Sequence, residues 1–171
     1  MLSYAVWTFF CQHAVIIDMP DTSPEAMTEL ILRIFRANGA LLAAGDRLVG
    51  ELDLTSARWQ LLGGISEQDG PLTVSQLARN MGVTRQAVQR IANELEKDGV
   101  VGFSANPHHR RAQLIELTER GRDLFARAMD IQRPWAEALG RAVSSTQCAA
   151  AREALDTLLA ALREMEATSS S

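Results

Sequence analysis

Residues 73–99 read TVSQLARNMGVTRQAVQRIANELEKDG. Thr73 and Gln76 have the spacing of a capping box, in which the two side chains satisfy free amides at the start of a helix. Gly82 stands where the end of that helix favours a left-handed residue, and Thr84 then caps a second helix. Two helices joined by a turn of about three or four residues predict a helix-turn-helix, whose second helix is built to enter a DNA major groove.

The second predicted helix, residues 85–98, has one apolar and one polar side. Its apolar residues recur every three or four positions, which is typical of a helix that packs one face on a core. They are Ala87, Val88, Ile91 and Leu95. The candidate DNA-binding residues are the cap and the polar side, namely Thr84, Arg85, Gln86, Gln89, Arg90 and Asn93. Gln and Asn can pair with adenine and Arg with guanine. The alternative is a solvated polar face with no ligand.

A β-hairpin is predicted directly behind this helix. Apolar and β-branched residues flank a turn that contains Asn106-Pro107 and then His109, Arg110 and Arg111. A hairpin in this position is a wing, and an arginine at its tip can enter a narrow minor groove, where the negative potential is enhanced. The alternative is that the two arginines are ordinary solubilising charge.

Several segments, in this order along the chain, resemble the MarR family of transcriptional regulators. They are LTSARWQLL at 54–62, VSQLARNMG at 74–82, TRQAVQR at 84–90, NPHHRRA at 106–112 and Leu117-Thr118. The resemblance covers roughly residues 25–166. In the wing, Arg111 corresponds to the family's minor-groove arginine. His109 replaces an acidic residue that helps to hold this arginine in the commonest family wing.

The resemblance implies a mainly α fold with a small β-wing. We expect a single domain over residues 25–168, with a winged helix-turn-helix at 54–118 and dimerisation helices at 25–50 and 119–167. The function that it implies is a sequence-specific transcriptional regulator, a repressor, that binds double-stranded DNA at an inverted repeat. The alternatives are a dimeric protein-interaction module that uses the winged head, or a thiol-based redox-sensing regulator.

Amphipathic patterns at both ends of the chain also point to a partner. Apolar residues form a stripe between Met27 and Leu48 and a second one between Leu155 and Met165. Such stripes need a surface to cover them. They either fold back on their own domain or pair between two subunits, as the family pairs them. A two-fold dimer would present two heads to palindromic half-sites, so we predict a homodimer.

A small-molecule effector is expected from the resemblance, because family members respond to aromatic acids and phenolic compounds near the junction of the dimerisation helices and the head. Arg47 and Arg58 are the candidate partners of an anion, and Trp59 is the candidate aromatic wall. The alternative is that Arg58 makes a helix-capping or intersubunit salt bridge and Trp59 belongs to the core.

The net charge of −4 is unexpected for a protein that binds phosphates, but the charge is unevenly distributed. Residues 75–122 contain eight Lys or Arg and five Asp or Glu, whereas the remainder of the chain contains nine and sixteen. The local field matters more for docking than the total charge. The sequence therefore predicts an acidic body with a basic head and a salt-sensitive affinity for DNA.

Residues 1–24 form an apolar extension with no charge before Asp18. It lacks the basic segment and cleavage site of a signal peptide and is short for a membrane span. Three interpretations remain open: a misassigned start with Met19 or Met27 as initiator, an extra segment packed on the dimerisation helices, or a membrane-touching peptide. The tail at 169–171 is expected to be disordered.

Other classes of function find little support in the sequence. A phosphate-binding Gly-rich loop, an HExxH motif, a nucleophile elbow and paired CxxC motifs are all missing. We therefore expect no enzyme activity, no cofactor, no metal site and no membrane partner, and a cytoplasmic location. Cys11 precedes the first family-like helix, so the family's redox cysteine does not correspond to it. Cys148 is interpreted as a small buried hydrophobe, and the alternative is a cross-link between two subunits.

Overall fold

The computed structural model describes residues 22–107 and 112–169. Its helices are α1 (Pro24–Val49), α2 (Ser56–Ser66), α3 (Val74–Met81), α4 (Arg85–Lys97), α5 (Glu119–Gly140) and α6 (Ser145–Ser169). Its strands are β1 (Leu72–Thr73), β2 (Val101–Ser104) and β3 (Leu114–Leu117), and a 3-10 turn, Gly50–Leu52, follows α1. The wing-tip residues His109, Arg110 and Arg111, most of the apolar extension with Cys11, and the last two serines lie outside the described residues.

The contacts within the chain separate it into one unit up to Leu41 and another from Leu42 onward, so the division falls inside α1 rather than at an end of the predicted domain. The described part of the first unit is helical from Pro24. Leu30, Leu32, Phe35 and Leu41 are exposed there, and Phe35 leaves 67% of its surface accessible, whereas Met27, Ile31 and Ile34 are half-buried. An exposed apolar helix of this kind needs a covering surface.

The second unit has one hydrophobic core, which α2, α3, α4 and the sheet build together with Val49 at the end of α1 and Ala128 of α5. The largest side chains that are fully buried there are Leu61, Leu62, Leu77, Leu95, Ile115, Val49, Val88 and Val101. Val88 and Leu95 come from the apolar side predicted for α4, and Ala92 joins them. Since α4 buries this side, its polar side is turned away from the core.

The helices of the second unit begin at the predicted caps. Thr73 forms a complete capping box, because its hydroxyl oxygen accepts from the Gln76 amide at 3.2 Å and the Gln76 side chain accepts from the Thr73 amide at 2.8 Å. Thr55, Thr84 and Thr118 also accept a backbone amide of their own first turn. The entry of each helix of the head is thus determined by local hydrogen bonds that the sequence already indicates.

The wing sheet is antiparallel, with strand order β1-β3-β2. Leu72 pairs with Ile115, and Val101 pairs with Leu117. The short segment around Leu72 therefore joins the wing sheet as a third strand. Through β1, which leads directly into α3, the sheet is connected to the first helix of the helix-turn-helix.

A close approach at Gly121 holds the start of α5 against the end of α4. The Thr118 hydroxyl donates to the Gly99 carbonyl at 2.8 Å and accepts the Gly121 amide at 3.0 Å. A Cβ atom at Gly121 would overlap the carbonyl oxygen of Val100. Gly99 itself has φ +68°, a left-handed conformation that other residues rarely adopt. Both glycines are therefore required by the backbone path.

A second close approach connects the C-terminal part of α1 to the start of α2. The buried Ser56 donates its amide to the Asp46 carboxylate at 2.6 Å and its hydroxyl to the Leu42 carbonyl at 2.7 Å. A Cβ atom at Gly45 would overlap the Ser56 hydroxyl oxygen. This arrangement ties residues 42–49 to the winged head.

Two details of the C-terminal helices differ from the interpretation of the sequence. Pro134 lies inside a helical pattern, so the sequence predicts a kink or a break near Gln132-Arg133. A break does not occur, since α5 continues through Pro134. Pro134 and Asp130, whose carbonyl loses its helical partner, are both exposed, so water can replace the lost hydrogen bond. Cys148, which is interpreted as a small buried hydrophobe, is exposed on α6 within the single chain. No residue of α6 is buried between Ser145 and Ser169.

Candidate nucleic-acid interface

Most of the residues predicted to bind DNA lie together on the polar side of α4. Thr84, Arg85, Gln86, Arg90 and Asn93 are exposed, and Gln89 is half-buried. On the opposite side Val88, Ala92 and Leu95 fix the helix to the core with 0–1% exposure. The candidate readout residues thus form one solvent-facing surface on a rigidly packed helix. A helix of this kind can present side chains to base edges.

Two pairs of side chains on this surface are in contact, and each pair joins residues one helical turn apart. The Gln89 amide donates to the Asn93 carbonyl oxygen at 2.8 Å. The Arg90 Nη1 atom donates to the Glu94 carboxylate at 3.0 Å. Glu94 was not among the residues predicted for the site, so its contact with Arg90 was missed. The signal was available, since residues four apart on a helix are neighbours.

The base of the wing lies beside the N-terminal half of α4. A cavity of about 70 Å³ between them is lined by Arg85 and Gln89 from α4, Phe103 from β2, and Ala112 and Gln113 from the chain that enters β3. Ala112 directly follows the wing-tip residues in sequence. The polar side of α4 and the base of the wing therefore belong to one face of the head.

The three candidate ligand residues do not share one cavity. Arg58 forms an ion pair with Asp98 at the end of α4 and donates to the Asp53 carbonyl at 3.2 Å. It lines an open, mostly charged cavity of about 940 Å³. The Nε atom of Arg58 is buried without a hydrogen-bond partner. Arg47 is exposed on α1 and lines neither this cavity nor the one at Trp59.

Trp59 lines a different and more apolar cavity of about 410 Å³. Its other walls are formed by side chains of α2, α3 and α5, among them Met81, Phe125 and Met129. Trp59 itself is half-buried and packs against the core cluster. Trp59 and Phe125 therefore give this cavity an aromatic wall, but Arg58, the predicted partner of an anion, does not line it.

No described helix is long and apolar enough to cross a membrane. Within residues 22–107 and 112–169, no group of three or more His, Cys, Asp or Glu is arranged to hold a metal ion.

Comparison with known proteins agrees with this architecture. Residues 52–112 match the MarR family. The uncharacterized protein Rv2011c of Mycobacterium tuberculosis is 36% identical over 139 residues, which are 81% of this chain and 96% of that protein. The crystal structure of the M. tuberculosis transcriptional regulator MosR in complex with DNA superposes with a TM-score of 0.69 at 27% identity, covering 79% of this chain and 96% of that one.

A third similar structure is CouR from Rhodococcus jostii RHA1 bound to p-coumaroyl-CoA. Its TM-score is 0.68 at 23% identity, covering 75% of this chain and 90% of that one. At this identity the likeness concerns the fold alone.

The fold and the exposed α4 surface define a winged helix-turn-helix protein of the DNA-binding class. The chain belongs to the MarR family of transcriptional regulators. Members of this family are transcription regulators and not enzymes, so the expectation of no enzyme activity is confirmed by membership.

Proposed function

We propose that the chain is a sequence-specific repressor that binds an inverted-repeat operator in double-stranded DNA as a homodimer. The observation that carries this proposal is the exposed polar side of α4, which is capped by Thr84 and lies beside the base of the wing. Gln86, Gln89 and Arg90 read base edges, while Thr84, Arg85 and Asn93 contact phosphates or neighbouring edges. Two heads bound at a promoter would block access of the polymerase, and we propose a cytoplasmic location for the protein.

Exposed apolar residues on the terminal helices support the homodimer. On α6, Leu155, Leu159, Leu162 and Met165 recur every three or four residues, and each is at least 42% exposed. A stripe of this spacing is typical of a helix that packs against another helix. In the first unit, Leu30, Phe35 and Leu41 are exposed in the same way. Sedimentation equilibrium at micromolar concentration should give the mass of two chains, and a monomer would contradict the proposal.

Salt dependence separates DNA binding from the alternative of a protein-interaction module. The affinity for DNA should fall steeply as salt rises, with a slope of about −0.9 per neutralised phosphate in a plot of log K against log salt. An apolar protein contact would not respond in this way. Fluorescence anisotropy with a labelled duplex at several salt concentrations measures the slope. An affinity that is independent of salt would reject the role of the head in binding DNA.

The wing arginines are proposed to enter the minor groove beside the recognition helix. Arg111→Ala should weaken binding about tenfold on duplexes with A·T-rich flanks and less on G·C-rich flanks, because narrow A·T-rich grooves have the stronger negative potential. Anisotropy titrations with two duplexes that differ only in their flanks test this. Arg110→Ala and His109→Ala are the neighbouring controls. An equal loss on both duplexes would show that Arg111 is a general phosphate contact.

An aromatic carboxylate is proposed as the effector. Trp59 and Phe125 offer aromatic surface in a cavity of about 410 Å³, which is within the size range of small-ligand pockets. CouR, which shares the fold, holds an aromatic acyl compound. Arg58 and Arg47 are proposed as partners of the carboxylate in a ligand-bound conformation that brings them to this cavity, because neither residue lines it in the structure. Since Arg58 is paired with Asp98, the ligand would have to replace Asp98 and so release the end of α4 from α2.

If the effector acts in this way, substitutions of Arg58 and Trp59, which line the two cavities, should weaken the response to it. In the wild type an aromatic carboxylate such as salicylate should lower DNA affinity, and Arg58→Ala or Trp59→Leu should reduce this response at least about tenfold while binding of DNA persists. Arg47→Ala should reduce it less, because Arg47 lies outside both cavities. Anisotropy titrations in the presence of the ligand measure the response. A full response in Arg58→Ala would exclude Arg58 as the anion partner.

A further inference from the structure

Arg90 and Glu94 form the only ion pair that the described residues of α4 make on its polar side. The Nη1 atom of Arg90 lies 3.0 Å from the Glu94 Oε1 atom, and the two side chains are 69% and 47% exposed. An exposed pair of this kind is weak, and solvent or a stronger ligand can replace it. The readout arginine of the free protein is therefore already in contact with a carboxylate of its own helix.

This contact leaves most of the guanidinium available. An arginine has five N–H donors in one plane, and a bidentate contact with guanine uses two of them, to O6 and N7. Glu94 engages Nη1 alone. The contact of Nη1 with Glu94 restricts rotation about the side-chain bonds of Arg90, so the planar guanidinium keeps a defined orientation. Glu94 can thus remain bound to Arg90 while the other donors of the guanidinium meet a guanine.

The carboxylate has the opposite effect on DNA that lacks the right base. Non-specific binding depends almost entirely on the neutralisation of phosphates. A bare Arg90 would add one phosphate contact on any sequence. With Glu94 at 3.0 Å its charge is compensated, and the carboxylate itself repels nearby phosphates. The loss of affinity caused by Glu94 falls mainly on non-specific complexes, because these depend on the net charge of Arg90. In the specific complex, the remaining N–H donors of Arg90 still bind O6 and N7 of guanine.

We infer that Glu94 is a specificity-determining residue that acts through Arg90. Glu94 orients the Arg90 guanidinium for guanine and compensates its positive charge, which weakens the attraction of Arg90 to phosphates. Glu94 therefore lowers the affinity for non-specific DNA more than the affinity for the operator. The inference rests on the proposed function. Gln89 and Asn93, the neighbouring pair on α4, are uncharged and can orient each other but cannot screen a phosphate.

The experiment compares variants of full-length protein on two probes. One probe is a labelled duplex selected by the wild-type chain from a random pool, and the other is a scrambled duplex of equal length and composition. Glu94→Gln keeps an acceptor oxygen for Arg90 and removes only the charge. Its affinity for the scrambled duplex should rise about fivefold to tenfold, with a salt slope steeper by about one phosphate, while affinity for the selected duplex rises no more than about twofold.

Glu96→Gln is the matched control, because it removes the same charge from α4 outside the Arg90 contact. It should change the affinities for both duplexes by the same factor. In an Arg90→Ala background, Glu94→Gln should no longer change the ratio of the two affinities. A merely structural role of Glu94 would not predict that its effect depends on Arg90. Glu94→Ala, which removes both charge and acceptor, should bind the selected duplex more weakly than Glu94→Gln does.

The outcomes separate this inference from the proposed function. If the wild-type chain selects a sequence but Glu94→Gln changes both affinities equally, or neither of them, Glu94 does not determine specificity. The same conclusion follows if its effect on the ratio persists without Arg90. If the wild-type chain shows no preference for any sequence in the pool, the proposed function itself fails.

Discussion

Gly121→Ala is expected to lower the free energy of unfolding by about 3 kcal/mol, at the upper end of the usual cost of overpacking. The physical reason is that the new methyl group would overlap the backbone oxygen of Val100. A backbone atom cannot move aside as a flexible side chain does. The clash would separate the start of α5 from the segment that connects α4 to β2, so the hydrogen bonds of Thr118 would be lost as well.

Gly39→Ala is the matched control for this prediction. Gly39 lies inside α1, and a Cβ atom there would meet nothing within 4 Å. Alanine should therefore raise stability by roughly 0.5–1 kcal/mol, because it restricts the unfolded chain without a clash. Urea denaturation followed by circular dichroism, at one fixed protein concentration, measures both variants. Equal stability of Gly121→Ala and the wild type would contradict the packing described for the start of α5.

Arg90→Ala is expected to cost about 1–3 kcal/mol of binding free energy at the operator, which is roughly fivefold to 150-fold in affinity. It should also relax the preference at one base pair. The reason is that Arg90 is the exposed cation in the middle of the polar side of α4. Titration against a panel of duplexes with single base changes measures both effects.

Arg133→Ala is a suitable control, because Arg133 is also exposed and paired with a carboxylate, Asp130, but lies on α5. Loss of this charge should leave the base preference unchanged. A uniform loss of affinity across the whole panel by Arg90→Ala would demote Arg90 to a phosphate contact.

The local features of the head could be predicted from the sequence. Capping boxes, a left-handed glycine at Gly82 and helical periodicity depend on residues only a few positions apart, and each appears in the structure. The side of α4 that faces solvent follows from the same periodicity. For these reasons the helix-turn-helix, the solvent-facing side of α4 and the hairpin of the wing could be predicted from the sequence, whereas base readout by that side stays a prediction.

Features that depend on tertiary surroundings were harder to derive. Arg58 and Trp59 are adjacent in sequence, so a helix turns them about 100° apart, and they line different cavities. The pairing of Arg58 with Asp98 joins residues 40 positions apart and leaves no local signal. Whether Cys148 is buried also depends on what packs against α6, which its own sequence does not reveal.

The proposed function requires the chain to bind a specific DNA sequence as a two-fold dimer. Selection of bound duplexes from a random pool by the full-length chain tests it most directly, because it tests for a base preference and for symmetry at once. The expected result is an inverted repeat whose half-site centres are about one helical turn, ~34 Å, apart. A bound pool without sequence enrichment would contradict the claim of base readout, and an enriched single half-site would contradict the dimer.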